Sequence, residues 1–229
     1  MNKYMKLFAG ILISTFGIAM VIRSNLGAFP ITCLNLGVSN SCGISLGTAS
    51  LLVECGMLIF NIKFKEKVGV ATIVNSLLAG YVLDFHLSYF PTSTNFFVSI
   101  LLIIIGMIVL SIGFYFITDS AMGNTSSNGV MMVIHRITKL SLGTIRTIEE
   151  ILFAILGFIL GGPVGFATVI LSLSFGSVMN IVYKMIGFDP DSIEHQFITF
   201  NKLGSVLNGR KGKVVHNDLH YRKSGKGQK

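Results

Sequence analysis

The chain has 229 residues, of which 52% are hydrophobic and only 12% charged, and it carries a formal net charge of +8. A mean hydropathy of +0.73 excludes an ordinary soluble domain, in which about a quarter of the residues are charged. The class that remains is an all-α integral membrane protein.

In chain order, Lys3 and Lys6 precede an apolar run at 7–22. This opening imitates a secretory leader, but Arg23 interrupts the place of a small-residue cleavage site, so the run is expected to be retained as a first span. Further apolar runs lie at 46–60, 68–85, 96–117, 145–160 and 164–185. Each approaches the ~20 residues a helix needs to cross ~30 Å of hydrocarbon, so six spans are expected. With the N-terminus inside, the cytoplasmic segments then hold Lys3, Lys6, Lys63, Lys65, Lys67, Arg136 and Lys139, and the outer ones hold only Arg23. That distribution obeys the positive-inside rule. The pieces at 30–38 and 128–137 are too short to cross and are expected to be re-entrant or interfacial helices.

The chain is written twice. A constant offset of 96 residues pairs Gly10 with Gly106, Gly17 with Gly113, Ser24 with Ser120 and Gly27 with Gly123. The same offset pairs Ser45-Leu46-Gly47-Thr48 with Ser141-Leu142-Gly143-Thr144, Glu54 with Glu150, and Gly80 with Gly176. Apolar composition alone produces coincidences of Leu and Val, but not an ungapped match of Gly, Thr and Glu. Three spans per copy is an odd number, so the second copy must enter the membrane upside down. The expected organisation is a membrane domain over 1–187, with repeats at about 8–86 and 97–187, and a basic cytoplasmic tail over 188–229. The tail supplies a net +4, is expected to be disordered, and suits contact with anionic lipid better than with nucleic acid.

Several polar residues interrupt the apolar pattern. Pro30 suits the first turn of a short helix, and the second copy offers Asn124, Thr125, Ser126, Ser127 and Asn128 as caps. Helix starts carry unpaired N–H groups, so two such breaks facing one another could hold an anion or a carboxylate, unless they lie in the head-group layer. Glu54 stands six residues past Thr48, about 9 Å along its helix, where an unsupported carboxylate is costly. Glu150 has Arg146 four residues before it and Glu149 has the same Arg at three, so a within-helix ion pair is expected there. Arg23 suits an interfacial anchor, the alternative being a counter-charge for Glu54. Asp84, His86 and Asp119 are expected to finish helices at an interface, and Gly10, Gly17, Gly106 and Gly113 to permit close helix packing. Cys33, Cys42 and Cys55 fit no metal spacing; free thiols are expected, the alternative being a Cys33–Cys42 bridge in an oxidising exterior. No catalytic motif is present, and neither an enzyme nor a cofactor is expected.

The segments Leu26-Gly27-Ala28-Phe29-Pro30, Gly43-Ile44-Ser45-Leu46-Gly47-Thr48, Ile145-Arg146 through Glu150, and Gly161-Gly162-Pro163-Val164-Gly165 resemble the YczE/YyaS/YitT family of bacterial integral membrane proteins. The resemblance covers about 8–183. It departs near Thr32, where many relatives look to carry an Asp, and at Ala167, where they look to carry Gly. It implies a multi-pass bacterial membrane protein of uncharacterised activity.

The resulting expectation is a multi-pass protein of the bacterial inner membrane with both termini cytoplasmic, binding or moving a small solute, with a homo-oligomer compatible. Glu54, Glu150, Arg23, Thr48, Thr144, Asn124 and Ser126 are the candidate solute-binding residues. The alternative is a non-transporting scaffold or accessory subunit.

Overall fold

The computed structural model describes residues 2–123, 125–189 and 193; Asn124 and almost all of the basic tail lie outside the described residues. The described residues are all-helical, with no strand. Eight helices follow one another: α1 Lys3–Arg23, α2 Pro30–Cys42, α3 Leu46–Lys63, α4 Val70–Tyr89, α5 Phe96–Asp119, α6 Ser126–Thr138, α7 Leu142–Ile159 and α8 Phe166–Ile186. Five of them, α1, α3, α4, α5 and α8, are long and apolar enough to cross a membrane. α7 has the 18 residues of α3 but carries Arg146, Glu149 and Glu150 in its first half. The two 13-residue helices α2 and α6 correspond to the short pieces expected on either side of the two breaks.

Helix starts follow from local chemistry. Ser45 and Ser141 each accept a hydrogen bond from the amide three residues on, at 3.1 Å in both cases, and Thr125 does the same for α6. Pro30 occupies the first turn of α2, where its missing N–H has no consequence. Gly69 and Gly165 precede α4 and α8, and each donates its N–H to the hydroxyl three residues later, Thr72 or Thr168.

The 96-residue offset also governs the backbone. Among the described residues, eight of the nine left-handed residues occur in pairs, Asn25 with Ala121, Gly27 with Gly123, Gly43 with Lys139, and Lys65 with Gly161; Gly187 at the end of α8 is the exception. Packing is paired in the same way. Val21, Ile103, Met107 and Ala167 share one buried cluster, and their offset partners Ile117, Leu7, Ile11 and Ala71 share another.

α1 and α5 run antiparallel at the centre. Gly10 faces Gly113 and Gly17 faces Gly106, so that each glycine packs on the partner of the other. A Cβ built on Gly17 would fall 2.6 Å from Leu110 N, so the two backbones touch because no side chain intervenes. In lipid this is the dominant source of cohesion, since a hydrocarbon solvent gives apolar side chains no reason to leave it.

One end of the bundle gathers the start of α1, the ends of α3 and α5, the start of α4 and the end of α6. Lys6 pairs with Asp119 at 2.6 Å, Arg136 with Glu66 at 3.0 Å, and Ala71 N–H bonds Met122 O. The other end gathers the end of α1, the 87–93 segment, α2 and the start of α8. There Arg23 donates to Thr92 Oγ1 at 2.8 Å and to Leu87 O, and Ala167 N–H bonds Leu26 O.

Candidate functional site

α3 carries a polar stripe. Ser50, Glu54 and Asn61 fall within about 60° of one another when wound at 3.6 residues per turn, and Gly47 continues the line toward the helix start. Each meets a polar group of a different helix. Asn35 of α2 donates to Ser50 Oγ at 3.3 Å, and Asn61 donates to Ser126 O at 2.8 Å. Between them, Ser76 of α4 donates to Glu54 Oε2 at 3.2 Å and shares a 2.8 Å hydrogen bond with Ser126 of α6. The Ser126 hydroxyl lies against the same carboxylate. Glu54 thus sits where α3, α4 and the first turn of α6 converge, and it has a part in none of the ion pairs among the described residues.

The second acid is supported differently. Arg146 Nε bonds Glu150 Oε1 at 3.0 Å, while its Nη1 lies 3.5 Å from Glu149 Oε2 and 3.3 Å from Ser127 Oγ. Ser127 donates in turn to Glu149 Oε1 at 3.2 Å. The buried acid of this helix is Glu149, at 5% exposure, rather than Glu150, the offset partner of Glu54. The serines around Glu54 have no functional counterparts around Glu150. Ser172, the partner of Ser76, bonds Thr168 O of its own helix, and Pro30 stands at the partner position of Ser126. Both buried acids accept from a serine hydroxyl, but among the described residues only Glu149 also has a cation beside it.

Of the other candidates, Thr48 and Thr144 spend their hydroxyls on the caps Ser45 and Ser141, at 2.9 and 2.8 Å, on exposed helix starts. Arg23 holds the 87–92 segment rather than Glu54. Asn124 lies outside the described residues. Cys33, Cys42 and Cys55 are all free thiols. Sequence reasoning missed Ser76, Asn35 and Asn61. Ser76 and Asn61 are isolated polar residues in apolar runs, which is the signal that could have found them.

Asn61 opens onto a cavity of about 360 Å³ between the end of α3, the 64–69 turn and α6. Its wall includes Asn61, Thr72, Thr125, Asn128, His135 and Arg136. Asn61 is 1% exposed, yet its Oδ1 has no hydrogen-bond partner, as is also true of Asn35 Oδ1. A buried carbonyl oxygen without a donor among the described residues is a cost to the fold. Glu54 lies two turns from Asn61 along α3 and Ser76 one turn from Thr72 along α4, and neither of them lines the cavity.

The model of a family of unknown function, DUF6198, matches residues 1–184, which include every helix-borne group described above except the end of α8. The chain belongs to this family. It is similar to the uncharacterized protein YyaS of Bacillus subtilis, 27% identical over 207 residues, covering 88% of this chain and 99% of the relative. It is similar also to the uncharacterized membrane protein YczE of the same organism, 26% identical over 178 residues and covering 75% and 81%. An uncharacterized protein of Haemophilus influenzae is 28% identical over 174 residues, covering 76% and 80%. No solved structure is significantly similar. The resemblance to YczE and YyaS read from the Gly-rich motifs is therefore met, and the chain is a membrane protein with several apolar helices.

Proposed function

We propose that this family member is an inner-membrane protein built as two inverted halves of three spans each, and that it binds and moves a small solute at Glu54. The observation that carries the solute reading is Glu54 itself, a carboxylate that accepts from Ser76, has the Ser126 hydroxyl beside it and takes part in no ion pair among the described residues, at a junction of helices from both halves. Intramembrane acids without a structural partner mark solute or proton pathways. Matched breaks meeting between inverted repeats are the arrangement of many transporters.

The six-span assignment is supported by the grouping of helix ends. The end that holds Lys6, Glu66 and Arg136 is on this reading cytoplasmic, with both termini there and the basic tail facing anionic lipid. α7 counts as the sixth member because Arg146 pairs with both Glu149 and Glu150 within its own first turns.

Two measurements test the proposal. Single cysteines replacing Lys65 or Lys139 are expected to react with a membrane-impermeant thiol reagent only from the cytoplasmic side. Labelling of position 65 from outside ends the inverted arrangement. A thermal-shift screen of the purified protein against small charged solutes is expected to find at least one that raises the melting temperature. A screen with no response favours the alternative, a scaffold whose glycine-lined helix contacts are its whole purpose.

A further inference from the structure

The two halves share their left-handed turns and paired clusters, but they differ in how their helices close, as three observations show. In the first half α3 lies along α4. Gly47 and Gly80 are buried and pack backbone to backbone, and Gly47 N–H donates to Asp84 Oδ1 at 2.7 Å. Their offset partners in the second half are Gly143, Gly176 and Asn180. All three are exposed, a Cβ on either glycine meets nothing within 4 Å, and α7 forms no comparable interface with α8.

The second observation concerns the short helices. α2 sits tightly on α7, with the Gly157 and Gly162 backbones against Cys33 and with Asn40 and Ser41 bonding Gly161 O and Leu160 O. The equivalent space between α6 and α3 is where the cavity lies, on the offset partners Asn61, Glu66 and Gly129. The third is Asn180, a polar amide within a spanning helix that makes no side-chain hydrogen bond among the described residues. Left in hydrocarbon it is costly, so it calls for water or for a partner.

We infer that the protein alternates between two states, that this structure is the one closed at the outer end and open at the inner end, and that Gly143, Gly176 and Asn180 form the inner gate. In the other state the start of α7 moves onto α8, Gly143 meets Gly176, and Asn180 Oδ1 accepts the Gly143 N–H, as Asp84 does now for Gly47. The outer contact between Gly47, Gly80 and Asp84 opens at the same time, so that one end is closed in each state. The start of α7 is the occupant of the open α8 face, because the same Gly pair with the same spacing is already closed in the first half. The inference rests on the inverted-repeat reading above and adds to it the state and the residues of the gate.

The test uses full-length protein in native membranes, with Cys33, Cys42 and Cys55 changed to Ala. Gly143→Cys with Gly176→Cys, treated with copper phenanthroline, is expected to form an intrachain disulfide, since the closed glycine contact brings Cα atoms within the ~4.4–6.8 Å a disulfide spans. Hydrogen exchange over 46–50 is expected to speed severalfold once that bond forms, because the Gly47 N–H is released from Asp84. Absence of an intrachain bond in folded protein overturns the gate, and so does a disulfide between chains, which would make the α8 face a subunit contact.

A second arm keeps the native cysteines. Gly143→Leu has room in the present state but blocks the closed inner gate, so exchange over 46–50 is expected to slow relative to wild type. Unchanged or faster exchange overturns the inference. The topology reading fails separately, through thiol labelling at positions 65 and 139.

Discussion

Gly17→Leu is expected to abolish the folded protein. The Cβ alone would stand 2.6 Å from Leu110 N and 2.7 Å from Gly106 O, and both obstacles are backbone atoms of α5 that no rotamer change can move. Overpacking a core costs about 1–3 kcal/mol where side chains can give way. Here the two central helices must separate along the contact, which also loosens both paired clusters around Leu7 and Ile103, so the loss exceeds that range. Gly113→Leu, whose Cβ would strike the Ser14 backbone, is expected to behave alike. Gly56→Leu is the control: its site in α3 has nothing within 4 Å, and the variant should elute as wild type does. Size-exclusion profiles in mild detergent decide the matter. Monodisperse Gly17→Leu protein would mean that the α1 and α5 contact is not the seat of assembly.

Glu54→Gln is expected to leave the fold intact and weaken solute binding. The amide oxygen of Gln can still accept from Ser76, and the hydrogen bond between Ser76 and Ser126 does not involve the acid, so the junction of α3, α4 and α6 keeps its connections. What is lost is the negative charge. A hydrogen bond to a charged group contributes about 1.5–3 kcal/mol, so affinity for a cationic or protonated solute should fall about ten- to hundredfold. Isothermal titration with any solute found in the screen measures this directly. Equal affinity in wild type and Glu54→Gln would remove Glu54 from the site. Arg146→Gln, by contrast, should lower stability, because it leaves Glu149 with only Ser127 as partner.

Much of the helix plan was legible from the residues. Ser45, Ser141 and Pro30 mark helix starts because their chemistry is local, and the short helices α2 and α6 follow from lengths too small to cross. The internal duplication was legible because it is written in Gly and Ser, which backbone geometry demands at the same places in both halves. The partners of Glu54 were not, since Ser76 and Ser126 lie 22 and 72 residues away and meet it only through helix packing. The choice of Glu149 over Glu150 as the buried acid was hidden too. Neighbouring residues differ by 100° on a helix, and the face that turns inward depends on Ser127 arriving from α6. The inequality between the α3 and α4 contact and its counterpart is not marked by the glycines, which stand in both halves; the one difference there is Asn180 in place of Asp84.

The exchanged backbone bonds at the two helix starts carry a consequence for how the molecule is made. Ala71 at the head of α4 donates to Met122 from the second half, and Ala167 at the head of α8 donates to Leu26 from the first. A ribosome that has released α4 has not yet made the carbonyl that completes it, while Leu26 waits for a helix still unsynthesised. Neither half is a finished object on its own, so the halves belong to one act of folding, and two separately expressed pieces should be recovered together or not at all.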